Sequence, residues 1–188
     1  MRLFAALPIP SPARETIAGI LDRLRGAHLP VRWVRDEGLH LTLKFYGEVP
    51  DERRDVIEES LRIAARDTGP IPIRLTELGA FPSRRRPRVV WVGLDAPPAL
   101  ELLQDRLERG GEAIGFPPEG RPFQPHVTLG RLREGHHLPP AILEREAAMI
   151  EAAASLAEEV VLYDSTPGPG GATYTQLLAL PLTLSLAR

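Results

Sequence analysis

No cysteine occurs among the 188 residues of the chain. Disulfides, thiolate nucleophiles and cysteine-rich zinc sites are therefore excluded, and a reducing cytoplasm is the compartment that fits. Long apolar runs are also missing. The longest, residues 176–187, is interrupted by Pro181, Thr183 and Ser185 and falls short of the roughly 20 residues that a spanning helix needs. Met1 to Leu7 is too short for the apolar segment of a signal peptide and runs straight into Pro8 and Pro10. Neither glycine-rich phosphate fingerprint, G-x-G-x-x-G or G-x-x-x-x-G-K-[ST], is present, which leaves the nucleotide-cofactor folds without support. Net charge is small as well. A formal value of -2 argues against a protein that coats nucleic acid, although a cleft can concentrate a local field whatever the total charge.

Apolar residues make up 43% and charged residues 26%, ordinary values for a globular chain of one compact domain or two small lobes. The pattern alternates between strand and helix. Arg2 to Leu7 reads as a buried strand. Pro12 to Ala27 carries Ile17, Ile20, Leu21 and Leu24 at helical spacing, with Ser11 placed to cap it. Leu39 to Tyr46 alternates, with Leu39, Leu41, Leu43 and Phe45 on one face and His40, Thr42 and Lys44 on the other. Asp51 opens a helix to about Arg66. Ile71 to Leu78 and Arg88 to Leu94 read as strands joined by the loop 81–87. Pro97 to Ile114 reads as a helix broken at Gly110-Gly111. Pro125 to Arg131 is a second alternating strand, with His126, Thr128 and Gly130 on one face. A helix over 139–154 and a closing strand pair, 158–165 and 173–184, follow. The order β-α-β-α-β-β-α-β-α-β-β predicts an α+β fold rather than a doubly wound parallel sheet.

Two His-x-Thr units stand out: His40-Leu41-Thr42 and His126-Val127-Thr128. Five histidines and nine threonines would give about a quarter of one such unit by chance; two are present, each on a strand. Residues i and i+2 of a strand share a face, so each histidine is grouped with its threonine. Two imidazoles and two hydroxyls around one cleft suit a phosphodiester. One imidazole can deprotonate water and the other, as imidazolium, can protonate the departing oxygen, because a pKa near 6.5 populates both forms near neutrality. The hydroxyls can hold the non-bridging oxygens. The bland alternative for either unit alone is a histidine bonded to a neighbour on its own strand. One unit lies in each half of the chain, which hints at duplication.

These motifs, with Phe4-Ala5-Ala6-Leu7, Trp33, the continuations Leu43-Lys44-Phe45-Tyr46-Gly47 and Leu129-Gly130-Arg131, Phe81-Pro82, Pro87 to Gly93, Leu162 to Ser165 and Tyr174, resemble the 2H phosphoesterase superfamily. The likeness is greatest to its RNA 2′,3′-cyclic phosphodiesterases, also called 2′-5′ RNA ligases, and spans essentially the whole chain. It implies a bilobal, pseudo-twofold fold: one domain over 1–188 of two interleaved lobes, with two antiparallel sheets flanking a central cleft and helices outside. It implies metal-independent hydrolysis of RNA 2′,3′-cyclic phosphate ends to 2′-phosphates, with His40 as general acid, His126 as general base, and Thr42 and Thr128 on the phosphate. Phe45 and Arg131 stand where relatives hold the terminal base by stacking and guanidinium contact. Expected partners are RNA 3′ ends; no metal, other cofactor or membrane is expected, and a cytoplasmic monomer is expected.

Other readings share these residues. The same site could join ends through a 2′-5′ linkage, or act on a small cyclic nucleotide such as ADP-ribose 1″,2″-cyclic phosphate. A non-catalytic RNA-end binding module would need Phe45 and the arginines but no acid–base pair. The cluster Arg84, Arg85, Arg86 and Arg88 could grip upstream phosphates or simply be a solvated loop. His136-His137, beside Glu134, reads as a surface loop rather than a metal site. Trp33 reads as core, or as the rim of the cleft.

Overall fold

The computed structural model describes residues 1–133, 135–150, 155–169 and 171–184. Its strands are β1 (Arg2–Pro8), β2 (Val31–Trp33), β3 (His40–Glu48), β4 (Ile71–Ile73), β5 (Leu75–Ser83), β6 (Arg86–Leu94), β7 (His126–Leu132), β8 (Ser155–Ala157), β9 (Glu159–Thr166) and β10 (Thr173–Pro181). The helices are α1 (Ala13–Gly26), α2 (Arg54–Ala65), α3 (Pro98–Ala113) and α4 (Pro140–Ala147). The fold is α+β, as the pattern predicts. All strand pairs are antiparallel, in the order β10-β9-β1-β3-β7-β6-β5, with β2 beside β7; β4 and β8 form a separate ribbon.

The sheet is two antiparallel groups meeting at a seam. β10, β9, β1 and β3 lie on one side, and β7, β6 and β5 on the other. Only one residue pair joins β3 to β7, Leu41 with Val127. These are the central residues of the two His-x-Thr units. Both are buried, so the flanking histidines and threonines face the opposite surface.

Helices cover the buried surface. Ile17, Ile20, Leu21 and Leu24 of α1 and Leu100, Leu103 and Leu107 of α3 are fully buried in one core with Leu3, Leu7, Leu41 and Val127. Each such side chain contributes about 1.5–3 kcal/mol by leaving water.

Several local expectations change. α1 has Pro12 rather than Ser11 at its N-cap, with no side-chain hydrogen bond there. Asp51 opens a short 3-10 turn, Asp51–Arg53, before α2 begins at Arg54. The strand read at 71–78 divides into β4 and β5, and β5 runs through Phe81 and Pro82 to Ser83, so the loop of the hairpin is only Arg84-Arg85. α3 is continuous through Gly110 and Gly111. Those glycines mark close packing, not a break: a Cβ on Gly110 would stand 2.6 Å from Ser60 Oγ, and one on Gly111 would stand 2.7 Å from Lys44 Cε. The helix read at 139–154 ends at Ala147, and residues 151–154 lie outside the described residues.

Candidate active site

β3 departs from simple alternation. Ala5 pairs with Lys44 and Ala6 with Thr42, leaving Leu43 as the extra residue of a β-bulge. The bulge puts Leu43 and Lys44 both inside, and returns Phe45 to the face of His40 and Thr42. The expected faces are thereby corrected for Phe45 and Lys44. β7 repeats the device. Trp91 pairs with Thr128 and Val90 with Gly130, so Leu129 is the extra residue; Gly130 is buried, against expectation, and Arg131 joins His126 and Thr128 on the open face. The two strands thus present the same sequence of outward groups: histidine, threonine at i+2, and a large side chain at i+5.

Continuing the antiparallel register from Leu41–Val127 sets His40 opposite Thr128 and Thr42 opposite His126. An open cavity of about 700 Å³ lies on this face. His40, Thr42, Thr128, Phe45 and Arg131 line it. His126 is not one of the residues lining this cavity; it is half-buried and packed edge-on against Phe81 at 5.0 Å and against Trp91 at 6.2 Å. His40 is enclosed by Phe4 at 4.8 Å, Tyr174 at 5.0 Å and Tyr163 at 6.1 Å.

Both imidazoles are held the same way. His40 Nδ1 donates to Gly38 O at 2.7 Å, and His126 Nδ1 donates to Gln124 O at 2.7 Å. A carbonyl can only accept, so each Nδ1 carries the hydrogen and Nε2 is the atom left for chemistry. The segment supplying Gly38 is itself anchored: Arg25 Nη2 reaches Val34 O at 2.8 Å and Asp36 Oδ1 at 3.0 Å, and Arg14 Nη2 reaches Asp36 O at 3.0 Å.

Burial among the rings pulls the His40 pKa down to about 4; the Gly38 carbonyl opposes this and the His126 charge adds to it. His126 is also lowered, chiefly by burial, opposed by the Gln124 carbonyl and helped by the Arg131 charge. Both shifts favour the neutral ring, in which Nε2 presents a lone pair. An anionic phosphate placed beside them favours the imidazolium and reverses this depression.

The remaining wall carries groups that the motifs do not mark: Arg2, Arg32, Arg35, Ser165 and Tyr174. Trp33 is half-buried at the rim. Arg2 lies over the Phe45 ring, 5.1 Å from its centroid. The cluster at 84–88 is elsewhere. Arg84 bonds back to Leu78 O and Glu77 in its own hairpin, and none of the cluster lines the cavity. His136 and His137 are exposed, and Glu134 lies outside the described residues. Among the described residues no group of three or more His, Cys, Asp or Glu side chains is placed to hold a metal ion, and no helix is long and apolar enough to cross a membrane.

The likeness to known proteins follows the same division into halves. The model of the LigT-like phosphoesterases matches twice, over residues 7–91 and 92–174, one His-x-Thr unit in each match. The RNA 2′,3′-cyclic phosphodiesterase of Methanothermobacter thermautotrophicus is 34% identical over 178 residues, which are 94% of this chain and 96% of that protein. Among solved structures, TT0787 of Thermus thermophilus superposes with a TM-score of 0.83 at 29% identity, over 99% of this chain and 100% of the other. LigT of Escherichia coli complexed with 3′-AMP gives 0.71 at 31% identity, over 97% and 98%. With its doubled match and its two His-x-Thr strands joined at one seam, this chain belongs to the LigT-like family of 2H phosphoesterases.

Proposed function

We propose that the protein hydrolyses the 2′,3′-cyclic phosphate at an RNA 3′ end to a 2′-phosphate, without a metal, by paired action of His40 and His126. The observation that carries this reading is the Leu41–Val127 seam. It sets each histidine opposite the other unit's threonine, with both Nδ1 atoms tied to backbone and both Nε2 atoms left to react.

The cyclic phosphate lies between the two units, its non-bridging oxygens accepting from Thr42 and Thr128. Its negative charge raises both depressed imidazoles, so that one of them holds a proton in the complex. By resemblance to the family, His126 Nε2 takes a proton from water as the water oxygen bonds to phosphorus. The P–O3′ bond breaks, and His40 supplies the proton that the 3′ oxygen needs. The phosphate stays on the 2′ oxygen. The proton taken by His126 and the one lost by His40 restore the starting forms through solvent. Phe45, with 48% of its surface exposed, offers a stacking face for the terminal base, and Arg131 offers a planar cation nearby. The name of the Methanothermobacter relative agrees with this substrate.

The test is an oligonucleotide ending in a 2′,3′-cyclic phosphate, incubated with the protein in EDTA and followed by ³¹P NMR. The cyclic resonance should give way to a 2′-phosphomonoester. A 3′-phosphomonoester, a requirement for added metal, or retained binding of unchanged substrate would refute the reading.

A further inference from the structure

The geometry points to a second phosphate site in the same cavity, built by Arg32 and Arg35, that takes the phosphate on the 5′ side of the terminal nucleoside. The inference rests on the function proposed above and names what the protein recognises beyond the cyclic phosphate.

β2 and β3 occupy the same edge of β7, one after the other. β3 meets it at Val127, and β2 meets it at Gly130 to Leu132. The register places Arg32 directly across from Arg131, and cross-strand partners share a face. From Val127 to Arg131 is four residues, about 13 Å of extended strand and somewhat less across the bulge at Leu129. That separation, bridged partly by long arginine side chains, leaves room for one nucleoside between the His-x-Thr units and the arginines. The cavity of about 700 Å³ extends over both, well beyond what a cyclic phosphate alone requires.

The charges of Arg32 and Arg35 are otherwise unexplained. Like charges directly opposite on paired strands repel. Yet among the described residues Arg32, Arg35 and Arg131 have no carboxylate within ion-pair distance. Among those residues Glu37 is the one acidic side chain of the cavity wall. Arg35 projects from the loop between β2 and β3, which α1 holds through the Arg25–Asp36 ion pair at 3.0 Å. Arg32 and Arg35 thus stand on anchored backbone around a cavity, with their guanidinium groups exposed, the disposition that binds a phosphate through paired donors. This basic group borders the cavity of the His-x-Thr units, and the denser Arg84–Arg88 cluster does not.

Three substrates separate the possibilities: adenosine 2′,3′-cyclic phosphate, the same nucleotide bearing a 5′-phosphate, and the dinucleotide ApA ending in a 2′,3′-cyclic phosphate. A charge-assisted phosphate contact changes affinity about tenfold or more. The wild-type kcat/KM should therefore favour both phosphate-bearing substrates over the first by at least about tenfold, mostly through KM. That ratio should collapse toward one in Arg32→Ala and in Arg35→Ala, and Arg32→Lys should recover part of it. If only the dinucleotide gains, the site reads an internal phosphodiester; if both gain, any phosphate at the 5′ position suffices. A wild-type ratio near one, or a ratio unchanged in both alanine variants, overturns the site. Calorimetric binding of adenosine 2′-monophosphate and adenosine 2′,5′-bisphosphate reads it without turnover. Arg32-dependent preference for the bisphosphate with no hydrolysis of any substrate would keep the site and refute the proposed reaction. Hydrolysis with no preference would do the reverse.

Discussion

Lys44 offers a sharp test of how the site is built. The bulge at Leu43 turns it inward, where its ammonium sits 2.6 Å from Glu108 Oε2 and 2.8 Å from Pro117 O. Its side chain is 1% exposed and that of Glu108 is 16% exposed. Removing one member of a buried ion pair strands the other, at a cost of about 3–5 kcal/mol. The two members are not equivalent. Glu108→Gln leaves a nearly inaccessible ammonium without its counter-charge, and the full range applies. Lys44→Met keeps the methylene stem against Gly111 and leaves a carboxylate that still reaches water and accepts from Glu119 N at 3.2 Å. Its cost should fall at or below about 3 kcal/mol. The double variant Lys44→Met/Glu108→Leu removes both charges and should cost markedly less than the sum of the singles. Urea unfolding followed by circular dichroism measures all three, with unchanged m-values as the sign that the same surface unfolds. Single variants that each cost under about 1 kcal/mol, or a double variant that equals their sum, would refute the claim that this pair fixes the inward residue of the bulge.

Other consequences can be checked separately. A Cβ on Gly130 would come within 2.6 Å of Val31 Cγ1, 2.7 Å of Trp33 and 3.0 Å of Arg32 O, so Gly130→Ala should lose about 1–3 kcal/mol and raise KM by displacing β2; wild-type unfolding and wild-type KM would contradict this. In the free protein His40 should titrate near pH 4 and His126 below the usual 6.5 by ¹⁵N NMR, both moving upward when phosphate is added, because burial lowers both and a bound anion opposes it. With one ring protonated and one neutral in the active free form, kcat/KM should be bell-shaped with its maximum below pH 6.5, the basic limb falling as the ring that must hold a proton loses it; a flat profile between about pH 5 and 8 would sink the two-histidine mechanism.

The sequence shows the α+β order and the two His-x-Thr strands because alternation over seven or more residues is a strong local signal. β2, β4 and β8 have three residues each, too few for any period to register. The bulges depend on which strand pairs with which, and alternation alone put Phe45 among the core residues. A signal existed: Phe45 and Arg131 both follow their histidine by five positions, an odd spacing that can share its face only if one residue is extra. Of the cavity's arginines, Arg131 was marked by its place after the second His-x-Thr unit, whereas Arg2, Arg32 and Arg35 carried no such mark. Arg2, the Arg32–Arg35 segment and Arg131 are far apart in the chain and meet through the β2–β7 and β1–β3 pairings, whereas local density pointed to Arg84–Arg88. The aromatic enclosure of His40 by Phe4, Tyr163 and Tyr174 likewise arises from three strands, and it is the source of the depressed pKa.

The most direct test of the central claim is single-turnover hydrolysis of an RNA 2′,3′-cyclic phosphate in EDTA by His40→Ala, His126→Ala and the double variant. Acting as a general acid–base pair, each histidine should contribute about 10²–10⁴-fold to the rate. The double variant should be far less impaired than the product of the two losses, because the residues work as a unit. A single variant that stays within about tenfold of wild type while folding normally would contradict the account.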